Sequence, residues 1–157
     1  MRVEYINPFV EAAASVLKEV VAPEVKRGDL DLRPSTALIK GVAVHVDLIG
    51  DIKGRVLFDM SEETALHVVS AMNQEEFTAM DDLARATVQE LANMITAQAV
   101  TKLYQLGFEF DLSPPSVYIG KNIKIASNSD ESQEALVVPM EIGGAFQLDI
   151  SVVINPA

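Results

Sequence analysis

No cysteine occurs among the 157 residues, which removes disulfides and thiol nucleophiles at once and suits a reducing compartment. Basic residues are also scarce, 12 Lys and Arg against 23 Asp and Glu, for a net charge of -11. Phosphate-backbone binding needs clustered Lys and Arg, so the balance argues against nucleic acid and against an anionic membrane surface. Solubility is a sufficient reason for the acidic excess. The two histidines, His45 and His67, are too few and too isolated for a metal cluster and read as ordinary structural residues. Nothing resembles a phosphate-binding glycine loop with its lysine, and no Ser/His/Asp constellation is visible. No apolar run approaches membrane-spanning length, and the amino-terminal stretch carries Glu11 and Glu19, which a secretory hydrophobic region would not. These absences predict a soluble cytoplasmic protein without a membrane or nucleic-acid partner.

What is present is a chain with 49% hydrophobic residues and a mean hydropathy of +0.22, enough for a single domain over 1–157 with a substantial core. Asn7-Pro8 predicts a helix start, Asn as N-cap and Pro at the first helical position, running to about Val21 before Pro23. Lys26-Arg27-Gly28-Asp29 reads as a turn. Alternation from Thr36 to Leu48 predicts a strand with Gly41 a candidate bulge, Gly50-Asp51 a hairpin turn, and Gly54 to Met60 the returning strand. Ser61-Glu62-Glu63 predicts a helix start, with the helix ending near Met72. A long helix follows from Met80 to Leu106, with Gly107 as its C-cap and the helix dipole accounting for Asp81-Asp82.

Further short extended pieces are predicted at 108–112, 117–119, 123–126, 135–142 and 146–154, with a polar loop at 128–133. Gly143-Gly144 makes the last hairpin turn, and Pro139 places its strand at an edge or weakens it. Strands joined by hairpins, interrupted by paired helices, predict an α+β fold. Its antiparallel sheet has about six strands, with helices packed on one face, one of them long and central.

On the long helix, Ala84, Val88, Leu91, Ile95 and Ala99 form an apolar stripe at 3.6 residues per turn. Glu90 and Asn93 fall on nearly the opposite side, three residues apart and therefore adjacent. Ala86 lies a turn before Glu90 and Ala97 a turn after Asn93, so small neighbours leave room for a macromolecule to approach. A carboxamide can orient water and a carboxylate can pair with a partner's lysine. On spacing alone the pair reads first as an ordinary solvated helix face. Glu4 and Asn7 share the spacing, but Asn7 has a sufficient role as N-cap.

The segment 80–94, Met-Asp-Asp-Leu-Ala-Arg-Ala-Thr-Val-Gln-Glu-Leu-Ala-Asn-Met, with its continuation to Gly107, resembles the active-site helix of the CheX chemotaxis phosphatases. The stretches 61–72, 113–125 (with its Pro-Pro turn) and 6–14 resemble that family in the same order, so the likeness covers almost the whole chain. It implies membership of the CheC/CheX/FliY group of response-regulator phosphatases, whose Glu-x-x-Asn motif falls on Glu90 and Asn93. The implied partner is a phosphorylated CheY-like response regulator that carries Mg²⁺ on its own receiver domain, with no cofactor on this chain. Asn93 would orient the attacking water and Glu90 would pair with a receiver lysine. The resemblance implies one such site, because the first helix has no Glu-x-x-Asn inside it, and a homodimer joined through the sheets. It departs at Ala97, where the family usually has glycine. That keeps two other expectations in view, a non-catalytic receiver-binding adaptor and a flagellar-switch-related structural component.

Overall fold

The computed structural model describes residues 3–34, 38–121, 123 and 134–156. A 3-10 turn at Val3–Tyr5 leads into α1 (Asn7–Val20), then β1 (Val25–Arg27), β2 (Asp31–Pro34), β3 (Val42–Gly50) and β4 (Ile52–Met60). Two helices follow, α2 (Glu62–Asn73) and α3 (Asp82–Gln105), and then β5 (Phe110–Leu112), β6 (Ser116–Ile119), β7 (Glu134–Ile142) and β8 (Phe146–Pro156). The strands form one antiparallel sheet in the order β1-β7-β8-β4-β3-β5, with β2 also on β7 and β6 also on β3. The predicted six positions are there, but each outer one is shared by two short strands. The principal core joins α1, α2 and α3 to one sheet face, with Phe9, Leu17, Leu91 and Ile95 meeting Val56, Phe58, Val138 and Ile150. The fold class is the expected α+β arrangement.

Several local signals act as the sequence predicts. Ser61 Oγ accepts from Thr64 N at 3.1 Å and caps α2, and Gly143 and Gly144 turn between β7 and β8 at φ of 62° and 78°, values that suit glycine. Others differ. Asn7 is not the N-cap of α1: the preceding 3-10 turn leaves Ile6 already helical, with no side-chain cap, and Val10 N donates to Ile6 O. At α3 the helix begins later than Met80, because Asp81 Oδ1 accepts from Ala84 N at 2.9 Å and fixes the start. Lys26 and Arg27 belong to β1 and not to a turn. Gly41 precedes β3 and makes no bulge in it. The predicted strand at 123–126 and loop at 128–133 lie outside the described residues, Ile123 excepted.

Pro139 is not on an edge strand, since β7 pairs with β8 on one side and with β1 and β2 on the other. A proline cannot donate to a ladder, and the neighbouring edge breaks at that point: Arg27 pairs with Met140 and Asp31 with Val137, and the ladder skips Val138 and Pro139. Gly28 N donates to Pro139 O at 2.7 Å. A Cβ on Gly28 would stand 2.7 Å from Pro139 Cγ, so the break requires glycine there. The carboxy-terminal strand offers no edge for pairing across a subunit boundary. β8 lies at the centre, paired with β4 from Ile52↔Pro156 to Met60↔Leu148 and with β7 from Leu136↔Val152 to Ile142↔Phe146.

Candidate functional site

The five residues of the predicted apolar stripe on α3, Ala84, Val88, Leu91, Ile95 and Ala99, are all buried. Thr87, Ala92, Thr96 and Leu103 widen that buried face. The two buried threonines avoid stranded hydroxyls by bonding back along the helix, Thr96 Oγ1 to Ala92 O at 2.8 Å and Thr87 Oγ1 to Leu83 O at 2.8 Å. Glu90 and Asn93 project from the other side and are exposed, as are Ala86 and Ala97 on either flank. The pair sits on an unbroken α-helix, where side chains three apart are neighbours with Cβ atoms about 5–6 Å from each other. A carboxylate and a carboxamide thus face solvent together, between two methyl groups.

The helix that carries them is held on both sides by polar contacts invisible in the sequence pattern. Asn73, at the end of α2, donates from Nδ2 to Val69 O and to Thr87 Oγ1, each at 3.0 Å. Thr87 is one turn ahead of Glu90, so this bond fixes α2 against α3 next to the pair. Gln89 Nε2 donates to Pro115 O at 3.3 Å and ties the same turn to the Pro-Pro segment before β6. Neither contact has a spacing signature, because each depends on where a different element is brought. At the far end of α3 the C-cap is Leu106 and not Gly107; Gly107 follows it at a φ of 97°, and Phe108 N donates back to Leu103 O.

The other residues singled out in the sequence fall elsewhere. Glu4 and Asn7 line a groove with Glu11, Lys102, Gln105 and Leu106, where α1 begins and α3 ends. His67 stacks on Phe146 with ring centroids 4.0 Å apart. On the sheet face away from the helices, Asp149 is 2% exposed and meets Lys40 Nζ at 2.7 Å and Arg33 Nη1 at 3.3 Å. Gln147 Nε2 donates to its other oxygen at 2.8 Å. Burial raises the pKa of the neighbouring Asp59 against the opposing hydrogen bond from Lys40 N. His45, on the same face, has Nε2 3.2 Å from Asp47 Oδ1. Burial lowers its pKa, opposed by Asp47 and assisted by Arg55. This ionic network lies on the side of the sheet away from α3, and so from Glu90 and Asn93. Among the described residues no group of three or more His, Asp or Glu is placed to hold a metal ion, and no helix is long and apolar enough to cross a membrane.

Comparison with known proteins gives a consistent result. The family described as Chemotaxis phosphatase CheX matches residues 42–141, a span that contains α2, α3 and both candidate residues. The chain is 32% identical over 132 residues to the CheY-P phosphatase CheX of Thermotoga maritima, covering 81% of this chain and 83% of that one. Its fold matches CheX of Borrelia burgdorferi, solved as a complex with CheY, BeF3 and Mg²⁺, with a TM-score of 0.82 and 36% identity over 98% of this chain and 99% of the other. A CheC-like superfamily protein from Shewanella sp. PV-4 matches with a TM-score of 0.85 and 29% identity, over 99% of each chain. With a family match over more than half its length and a curated relative above 30% identity, the chain belongs to the CheX family of chemotaxis phosphatases.

Proposed function

We propose that this protein hydrolyses the aspartyl phosphate of a CheY-like response regulator, with Asn93 and Glu90 as the working pair. The observation that carries the reading is their joint exposure on one face of α3, flanked by Ala86 and Ala97. The Thermotoga relative's activity on CheY-P and the Borrelia relative's complex with CheY support the choice of partner. The Asn93 carboxamide accepts a hydrogen bond from a water and holds it in line with the bond between phosphorus and the receiver's aspartate oxygen. As the water oxygen bonds to phosphorus, that bond breaks, releasing free aspartate and inorganic phosphate. Glu90 pairs with a lysine of the receiver and fixes the register of docking. Mg²⁺ on the receiver supplies the electrostatic stabilisation of the phosphoryl oxygens, so this chain needs no cofactor of its own. Its contribution is positioning, which phosphoryl transfer rewards because little covalent chemistry is left for the protein to do.

The test is incubation with phosphorylated CheY-like receivers from the same source, following loss of acyl phosphate. Acceleration that disappears in Asn93→Ala supports the reading, and no acceleration by the wild type refutes it. Ala97 favours a second reading, an adaptor that binds receivers without rapid turnover, because its methyl group stands on the exposed, partner-facing side. We also propose a homodimer joined at the sheet. Since β8 is central, the edge to consider is β2, where Leu32 is 57% exposed next to Leu30 at 36%. Light scattering giving a mass near 17.0 kDa would rule the dimer out, and twice that would support it. The cytoplasm, where receivers are phosphorylated, is the expected location.

A further inference from the structure

Seven residues before Glu90, Leu83 is 52% exposed. A heptad returns a helical position to within about 20° of its starting direction, about 10 Å away along the axis. Leu83 therefore looks out on the same side as Glu90. The rest of that exposed stripe, Ala86, Glu90, Asn93, Ala97 and Thr101, is short or polar, which leaves Leu83 as its large apolar side chain. Local helix physics gives no reason for it. The first turn of a helix favours acids, which Asp82 already supplies. Its platform is also unusually well fixed: Leu83 O accepts from Thr87 Oγ1 at 2.8 Å, and Thr87 Oγ1 accepts from Asn73 Nδ2 at 3.0 Å.

We propose that Leu83 is the apolar anchor that seats the receiver domain over Glu90 and Asn93. The inference rests on the reading of that pair as facing the receiver. A standard interface covers about 800 Å² per partner, a disc of roughly 16 Å radius, so a domain centred on the pair reaches Leu83. Binding energy in such interfaces concentrates in a few well-packed side chains surrounded by near-neutral contacts. Asp82 and Glu90 bracket Leu83 with negative charge, which complements a receiver presenting its active-site lysine and disfavours a second copy of this acidic chain.

The experiment titrates a CheY-like receiver loaded with beryllofluoride and Mg²⁺ against wild type, Leu83→Ser and Leu83→Met, and measures turnover of the phosphorylated receiver by the same proteins. Leu83→Ser is expected to raise Kd and KM by about fivefold or more, to leave kcat within about twofold, and to melt with the wild type. Leu83→Met should recover most of the loss. Unchanged Kd and KM in Leu83→Ser would overturn the proposal, as would a fall in kcat and melting temperature with KM unmoved. A wild type that binds but does not turn over refutes hydrolysis while the Kd comparison still decides the role of Leu83. A wild type that does not bind refutes both.

Discussion

Asn93 and Leu91 are two residues apart on α3 and point to opposite environments, so replacing each by alanine separates function from stability. Asn93 is exposed, and a surface substitution of this kind moves stability by about 0.5 kcal/mol or less. Alanine is the better helix former by up to about 0.7 kcal/mol, so any shift should be upward, a degree or two in melting temperature. Leu91 is 2% exposed inside the principal core, and its truncation should cost about 2–5 kcal/mol, or roughly 4–20 °C. For catalysis the order reverses. Loss of a water-positioning group is expected to cost on the order of 10²-fold, about 2.7 kcal/mol of activation free energy. Asn93→Ala should therefore lower kcat for phosphoreceiver hydrolysis about a hundredfold with an unimpaired melting curve. Leu91→Ala should melt early while the fraction still folded turns over near the wild-type rate. Thermal denaturation by circular dichroism and a timed acyl-phosphate assay on the same preparations measure both. An Asn93→Ala protein with wild-type turnover would remove the carboxamide from the mechanism, and one that melts as early as Leu91→Ala would show the residue to be structural.

Glu90→Ala is expected to weaken receiver binding as well as rate, and added salt should weaken wild-type binding more than that of the variant, because salt screens the attraction between the two charges as they approach; equal salt slopes by titration would contradict the pairing. Ala97→Gly should raise the dephosphorylation rate if the methyl obstructs docking, at a cost of about 1 kcal/mol in helix stability, and an unchanged rate in a less stable protein would show the alanine to be harmless. The His45 imidazole is held neutral by burial, with its pKa below the ordinary value, so the unfolded chain takes up a proton first as pH drops below about 6.5. Stability is then greatest above that pH and declines as pH falls towards the lowered folded value. Urea midpoints at pH 7.5 and 5.5 should differ less in His45→Gln than in the wild type, and identical differences would exclude His45 as the source.

Legibility in the sequence follows the range of the interaction. Ser61 capping α2, the glycine turn at 143–144 and the buried stripe of α3 each depend on residues within a few positions, and all were readable. Asn7 misleads because its cap signal is local while the outcome is set by the helical turn before it. Pro139 misleads differently. The missing N–H is tolerated within a paired strand because the partner edge divides at that point, and strand partners are not written in local sequence. In β8 the apolar Leu148, Ile150 and Val152 are buried as strand alternation requires, but Asp149 on the other face is buried too, held by Arg33, Lys40 and Gln147. At the candidate site, Glu90 and Asn93 stood out through the family resemblance, helical phase only placing them opposite the buried stripe. The supports from Asn73 and Gln89 did not, since they require knowing that α2 and the Pro-Pro segment flank α3.

The position of β8 bears on how the chain acquires its shape. Its pairing with β4 joins residues about a hundred positions apart, and such contacts form late because loop closure must precede them. The β3–β4 hairpin and all three helices are synthesised well before their central sheet partner. Until β8 arrives, β4 and β7 each present an open edge, and the apolar undersides of α1 and α3 lack Leu148, Ile150 and Val152 from the core they cover. Truncation anywhere within 146–156 should therefore do more harm than its distance from Glu90 and Asn93 would indicate, yielding an association-prone chain and not a shortened enzyme.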